Sequence, residues 1–190
     1  TFDAYLSTDS SFKEGNFETS FTANLRYYDQ NAPIEEPEKK WGAILDMLYT
    51  ASYTGENLST RFELGDTTID ESENTVSSLT RRGTQLSAQY KNLTLKGFGV
   101  MSEETGYEIE GMGLAFNAND HLMGTSLNLD LFDERMAVKA VYVRGGTKEE
   151  DTMGTLSEIP EYKGDVVGLI FTSDFFDQLF MTEFEIDSSN

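Results

Sequence analysis

The 190-residue chain contains no cysteine, only three prolines and no long hydrophobic run. Without cysteine, disulfide frameworks, thiolate catalysis and Cys-based zinc or iron–sulfur sites are excluded. A transmembrane helix is excluded as well, because it needs about eighteen consecutive apolar residues. A membrane is not excluded, since barrel strands need only about nine to eleven residues each and alternate in polarity.

Basic residues are also scarce, with 14 Lys and Arg against 34 Asp and Glu and a formal net charge of −20. Such a surface repels phosphate backbones, so no nucleic-acid partner is expected. Cations, basic partners and divalent bridges are favoured instead. The same excess also serves solubility, which is its simplest interpretation.

Helical periodicity is almost absent, and a two-residue alternation takes its place. From Phe17 to Tyr27, apolar residues and threonine occupy every second position and polar residues the others. This pattern indicates a β-strand with one apolar and one polar face. It predicts a single domain over 1–190, an all-β antiparallel meander that forms a β-barrel or part of a larger barrel. The predicted strands are 16–28, 42–54, 57–66, 82–91, 93–101, 107–117, 122–131, 136–145, 164–173 and 178–187.

Most predicted connections are tight turns, but 29–41, 67–81 and 146–163 are long and polar. A membrane barrel alternates short turns on one rim with long loops on the other. The first four connections follow this rule, and the segments 132–135 and 146–163 then break it. Three explanations stay open: a miscounted strand, a loop that folds inward, or a fold other than a barrel.

The environment of the apolar face separates two classes of function. Aromatic residues such as Tyr27, Trp41 and Tyr90 lie near predicted turns, as in the aromatic girdles of membrane barrels. The polar faces mix acidic, amide and small residues, as a water-filled lumen does. We therefore expect a barrel in a bacterial outer membrane that serves as a pore, translocation channel or scaffold. The alternative is a secreted or cell-surface β-sandwich that acts as a binding or adhesion module.

If the polar faces line a lumen, carboxylates outnumber arginines there. Rings of carboxylates favour the passage of cations, so the sequence predicts a cation-favouring pore. The candidate lumen-lining residues are Glu18, Arg26, Arg61, Glu63, Asp130, Glu183 and Glu185.

One local stretch is more particular: Leu64-Gly65-Asp66, a polar span, and then Arg81-Arg82-Gly83-Thr84-Gln85-Leu86. The chain as a whole resembles Gram-negative outer-membrane β-barrel proteins, and this stretch is similar to large translocation barrels of the usher kind. That resemblance implies passage of protein or other cargo through the outer membrane. Such barrels have many more strands, and nothing here resembles their plug or periplasmic domains.

Few residues suggest catalysis or metal binding. The single histidine, His121, follows Asp120 in a predicted turn, and an exposed turn histidine is expected rather than a general base. The acidic segments around Asp70 and Glu150 lack the EF-hand spacing and are expected to be solvated loops. No enzyme activity, cofactor or metal is predicted.

The expected partners are membrane lipid, lipopolysaccharide bridged by divalent cations, and other envelope proteins. The chain starts at Thr1 and continues past Ile186 without a terminal aromatic residue, which favours a mature or excised section of a larger barrel.

Overall fold

A computed structural model describes residues 2–29, 40–72, 74–102, 121–132, 135–147, 162–175 and 180–189. Within these ranges the chain forms ten β-strands. They are β1 (Phe2–Glu14), β2 (Phe17–Asp29), β3 (Lys40–Thr54), β4 (Leu58–Ile69), β5 (Leu79–Tyr90), β6 (Leu93–Val100), β7 (His121–Leu131), β8 (Met136–Thr147), β9 (Tyr162–Phe175) and β10 (Phe180–Ser189).

The ten strands make one antiparallel sheet whose spatial order is their order in the chain. This confirms the predicted all-β meander. Strands β1 and β10 form the two ends of the sheet and do not pair with each other in the described residues. The sheet is therefore not closed, and barrel closure stays a prediction.

Two strand assignments differ from the sequence prediction. Strand β1 was missed because Asp9-Ser10-Ser11 has the composition of a turn and Tyr5 interrupts the alternation. The predicted strand 107–117 lies outside the described residues. Strand β6 pairs directly with β7, so no other strand lies between them.

The corrected strand order also corrects the connection lengths. Short connections join β1–β2, β3–β4, β5–β6, β7–β8 and β9–β10, and long ones join the four pairs between them. The break near 132–135 and 146–163 is absent from this strand order, which favours the first of the three explanations, a miscounted strand. The predicted strand 107–117, which lies outside the described residues, placed one more strand between β6 and β7 and so reversed the expected parity of every later connection.

A β-bulge at Leu45 interrupts the alternation of β3. Asn24 lies opposite Asp46, and the next residue, Leu25, lies opposite Ile44, so Leu45 is skipped. An extra residue turns the following side chains to the other face. Ala43 therefore shares the polar face with Arg26 and does not continue the apolar face of Met47.

The predicted apolar face, hereafter the outer face, lies uncovered along the sheet. Its rows run in register from β4 to β10. One row consists of Thr60, Ala88, Leu95, Leu127, Ala140, Leu169 and Ile186. The next consists of Leu58, Tyr90, Leu93, Leu129, Val138, Phe171 and Phe184. Leu127, Leu169 and Ile186 are 45%, 51% and 56% exposed, so nothing in the described chain buries this band.

Candidate functional site: the inner face and its folded arm

The opposite face of the sheet, hereafter the inner face, carries a two-stranded extension of β4 and β5 that we call the arm (residues 66–72 and 74–82). Pairing of β3 with β4 ends at Leu48 and Gly65. Pairing of β5 with β6 ends at Gly83 and Val100. Because Gly65 and Gly83 also lie opposite each other, both attachments of the arm to the sheet end at one level. Beyond it, β4 and β5 pair with each other alone.

The two glycines permit the sharp change of direction at this level. Gly65 has φ +122°, which L side chains rarely adopt, and a Cβ there would collide with the carbonyl oxygen of Met47. A Cβ on Gly83 would lie 2.5 Å from Cα of Val100. Only glycine allows the backbones to approach this closely.

The arm folds onto the inner face and forms the hydrophobic core there. We call the inner face of β6–β9 the apolar wall. Two arm residues, Ile69 and Val76, pack with residues from three of its strands, β6, β8 and β9. The wall residues are Phe98, Val100, Val141, Val143 and Ile170. This explains why β8 is apolar on both faces: its outer side belongs to the uncovered band, and its inner side lies under the arm.

Glu71, at the turn of the arm, is buried between two lysines of the wall. Its carboxylate lies 2.6 Å from Nζ of Lys139 and 3.8 Å from Nζ of Lys96, and its side chain is 1% exposed. Nζ of Lys139 also donates to the carbonyl oxygen of Glu71 at 2.6 Å. The expectation that this acidic segment is a solvated loop is therefore wrong for Glu71.

The far end of the arm reaches the last two strands of the sheet. The Asn74 side-chain amide donates to Oε2 of Glu185 on β10 at 2.9 Å. The methyl group of Thr75 lies 3.3 Å from the position that a Cβ on Gly168 of β9 would take. The arm thus spans the inner face from β4 and β5 to β10.

Arg82 and Asp66 bridge β3 and β4 beyond Gly65, where the ladder pairing of these strands ends; we call this gap the seam. The two side chains form a bidentate ion pair, with Arg82 Nε to Oδ1 at 3.0 Å and Nη2 to Oδ2 at 2.8 Å. Asp66 also accepts from the backbone N–H of Met47 at 2.8 Å. Arg82 donates to the carbonyl oxygens of Ile44 and Leu45. Side chains thereby replace the ladder hydrogen bonds that β4 no longer offers to β3.

The strand registers place all the candidate lumen residues on the inner face, although they do not form one cluster. Four of them are in ion pairs. Glu18 pairs with Lys13 at 3.0 Å, Arg26 with Asp3 at 2.7 Å, and Arg61 with Glu63 at 2.6 Å.

The remaining candidates have separate surroundings. Asp130 accepts from the amide of Asn128 at 2.9 Å. Glu185 holds the far end of the arm, and Glu183 is exposed. Glu63 is buried and accepts from the hydroxyl of Thr67, so it belongs to the base of the arm rather than to an open surface.

Sequence reasoning missed the residues that hold the arm. Lys139 was visible as a lone inner-face charge on an otherwise apolar strand. Phe98, Val141 and Ile170 were apolar residues on a face predicted to be wet. These departures from the alternation were the signal that something packs on the inner face, but they did not say which segment does so.

The inner face of β1–β3 is not covered by the arm and remains polar. Hydroxyls of Ser20 and Thr50 lie 2.7 Å apart, and Asn24 donates to Asp46 at 2.8 Å. The inner face is therefore divided into a polar wall on β1–β3 and the apolar wall on β6–β9 that the arm occupies.

His121 is the first residue of β7, at the rim of the long connections, so its predicted place in a turn is wrong. In the described part of the chain, no group of three or more His, Asp or Glu side chains is arranged to hold a metal ion. No helix in the same ranges is long and apolar enough to cross a bilayer.

Comparison with protein-family models, with curated proteins and with solved structures finds no match to this chain.

Proposed function

We propose that the chain is a bacterial outer-membrane β-barrel, or a section of one, that serves as a pore, translocation channel or scaffold. The observation that carries this proposal is the uncovered outer band, which is continuous in register from β4 to β10. An exposed apolar patch of this extent is a liability in water, whereas lipid is the solvent that suits it. A β-sandwich would bury such a band against a second sheet, and the described strands form one sheet.

The borders of the outer band support the same environment. Phe17, Tyr53, Tyr90 and Phe132 lie next to the short connections and are 41–72% exposed. Aromatic rings at this position match the girdle that membrane barrels place at the headgroup level. Towards the opposite rim, the exposed Arg144 lies 3.7 Å from Asp165, where the apolar rows end.

The regular alternation of short and long connections and the polar inner wall of β1–β3 also fit a barrel with an aqueous interior. The proposed partners are membrane lipid, lipopolysaccharide bridged by divalent cations, and other envelope proteins.

Extraction behaviour tests the proposal most directly. We expect the chain to require detergent for extraction and to migrate differently on SDS gels before and after heating, as folded membrane barrels do. A chain that is monodisperse in buffer without detergent would contradict the proposal and favour a soluble binding module.

The substitution Leu127→Arg gives a second test. In a bilayer it is expected to lower the free energy of unfolding by about 2–4 kcal/mol, because Leu127 lies mid-strand on the outer face. In water the exposed site would tolerate arginine within about 0.5 kcal/mol. Urea unfolding of vesicle-inserted protein measures the difference. The matched control is Ser7→Arg, an exposed inner-face position of β1, for which a similar loss would contradict the assignment of the faces.

Ion selectivity tests the acidic interior. Asp9 and Glu183 are exposed acids on the inner faces of β1 and β10. The double substitution Asp9→Asn/Glu183→Gln should shift the planar-bilayer reversal potential away from cation preference, because two carboxylates leave the pore wall. Glu14→Gln removes an acid from the outer face and should leave selectivity unchanged. A reversal potential that favours anions in the unmodified chain would contradict the predicted lumen.

A further inference from the structure

We propose that the arm is a movable plug, which swings away from the inner face about the Gly65–Gly83 pair and is held shut by the ion pairs of Glu71. This inference rests on the proposed function, since it assigns to the arm the regulation of that pore.

The base of the arm has the geometry of a hinge. Ladder pairing to both neighbouring strands ends at the glycine level, and the arm continues as an internally paired two-stranded unit from Asp66–Arg82 to Ile69–Leu79. The Arg82–Asp66 pair and the hydrogen bond from the Met101 N–H to the Arg82 carbonyl oxygen anchor this base. A unit joined to the sheet along one line can rotate about that line without breaking its own hydrogen bonds.

Beyond the base, side chains hold the arm to the wall. These contacts include the apolar packing of Ile69 and Val76, the amide of Asn74 on Glu185, and the pairing of Glu71 with Lys139 and Lys96. The outward side of the arm, at Thr68 and Thr80, is exposed. Nothing in the described chain packs on that side to prevent the arm from lifting.

Glu71 is the decisive element of this interface. Removing one partner of a buried ion pair strongly destabilises the packed state, because the other charge stays buried without compensation. Neutralising Glu71 leaves Lys139 and Lys96 facing each other across the wall without their shared carboxylate. The docked state is then destabilised, whereas the undocked state, in which water hydrates both lysines, is not.

The test uses a cysteine placed beneath the arm, which the cysteine-free chain allows without background. Ser126 lies on the inner face between Lys96 and Val141 and is 3% exposed. Ser126→Cys is nearly isosteric and should react slowly with a charged maleimide. Adding Glu71→Gln should raise the labelling rate at least about tenfold. Ser7→Cys, on the uncovered wall, should label rapidly in both backgrounds.

A disulfide across the far end of the arm separates arm motion from unfolding. Thr75→Cys/Gly168→Cys brings two thiols within reach, since the Thr75 methyl group lies 3.3 Å from the Gly168 Cβ position and the nearest group there is the rotatable carboxylate of Asp187. Oxidising this pair in the protein that carries Glu71→Gln and Ser126→Cys should restore slow labelling of the thiol at position 126. The control disulfide Ser20→Cys/Thr50→Cys joins side chains 2.7 Å apart on β2 and β3 and should not protect that thiol.

Two results would overturn the inference. The first is a labelling rate of the thiol at position 126 that stays slow in both Glu71→Gln and Glu71→Ala. The arm would then be a fixed part of the apolar wall. The other is labelling that the disulfide between positions 75 and 168 does not slow. Because labelling is measured in detergent solution or in buffer alike, it reports on the arm even if the chain proves soluble. Bilayer conductance that rises with Glu71→Gln and falls on tethering would link the arm to the pore.

Discussion

Replacing Arg82 with alanine is expected to lower the free energy of unfolding by about 3–5 kcal/mol, the typical cost of breaking a buried ion pair. Arg82 is fully buried, and Asp66 keeps only 14% of its side chain exposed. The substitution leaves the Asp66 carboxylate without its cation. It also removes the donors to the carbonyl oxygens of Ile44 and Leu45, so the seam between β3 and β4 loses its substitute for ladder pairing.

Denaturant unfolding in detergent micelles measures this loss. Arg82→Lys keeps the charge but not the bidentate fork, and should recover part of the stability. Arg144→Ala is the matched control, because Arg144 and its partner Asp165 are 55% and 43% exposed in their side chains. An exposed pair of this kind contributes about 0–1 kcal/mol. Equal losses for Arg82→Ala and Arg144→Ala would show that the seam does not depend on Arg82.

The substitution Gly65→Ala is expected to destabilise the fold by at least about 3 kcal/mol, through backbone strain and overpacking together. Gly65 has φ +122°, and the new methyl group would meet the carbonyl oxygen of Met47. To relieve this clash, either the arm must change its direction relative to the sheet or β3 must separate from β4. In the Ser126→Cys background, we therefore expect faster maleimide labelling as well as a lower unfolding midpoint.

Gly97→Ala supplies the control for a glycine in a strand of the same sheet. A Cβ there has its nearest neighbour, the Gly124 carbonyl oxygen, at 3.9 Å, which is ordinary contact. Its effect should stay within about 1 kcal/mol. If Gly65→Ala behaved like Gly97→Ala, the glycine level would not be the hinge of the arm.

The strands that the sequence predicts best are those whose two faces carry different residue types. In β7, Leu127 and Leu129 alternate with Asn128 and Asp130, and the predicted strand 122–131 agrees with the structure to within one residue at its start. Strand β1 escaped prediction because its inner and outer positions are both largely polar near Asp9 and Ser10. Where the two faces carry the same residue types, alternation holds no information.

The arm could not have been predicted from local pattern. The polar composition of 67–81 favours a loop, yet the structure continues both strands to Ile69 and from Leu79. Its destination depends on Glu71 meeting Lys139, a partner 68 positions away. Contacts at that separation depend on how far the sheet curves and on the direction of the arm at its glycine level, and neither leaves a periodic trace in the sequence.

The sequence alone therefore determined the all-β class, the identity of the two faces and the acidic character of the inner one, because these follow from side-chain alternation and composition. Tertiary structure alone decided that the apolar face stays uncovered and that the hydrophobic core lies on the other side, under the arm. The physical reason is that alternation assigns a residue to a face, whereas the environment of that face is set by the segments that fold onto it.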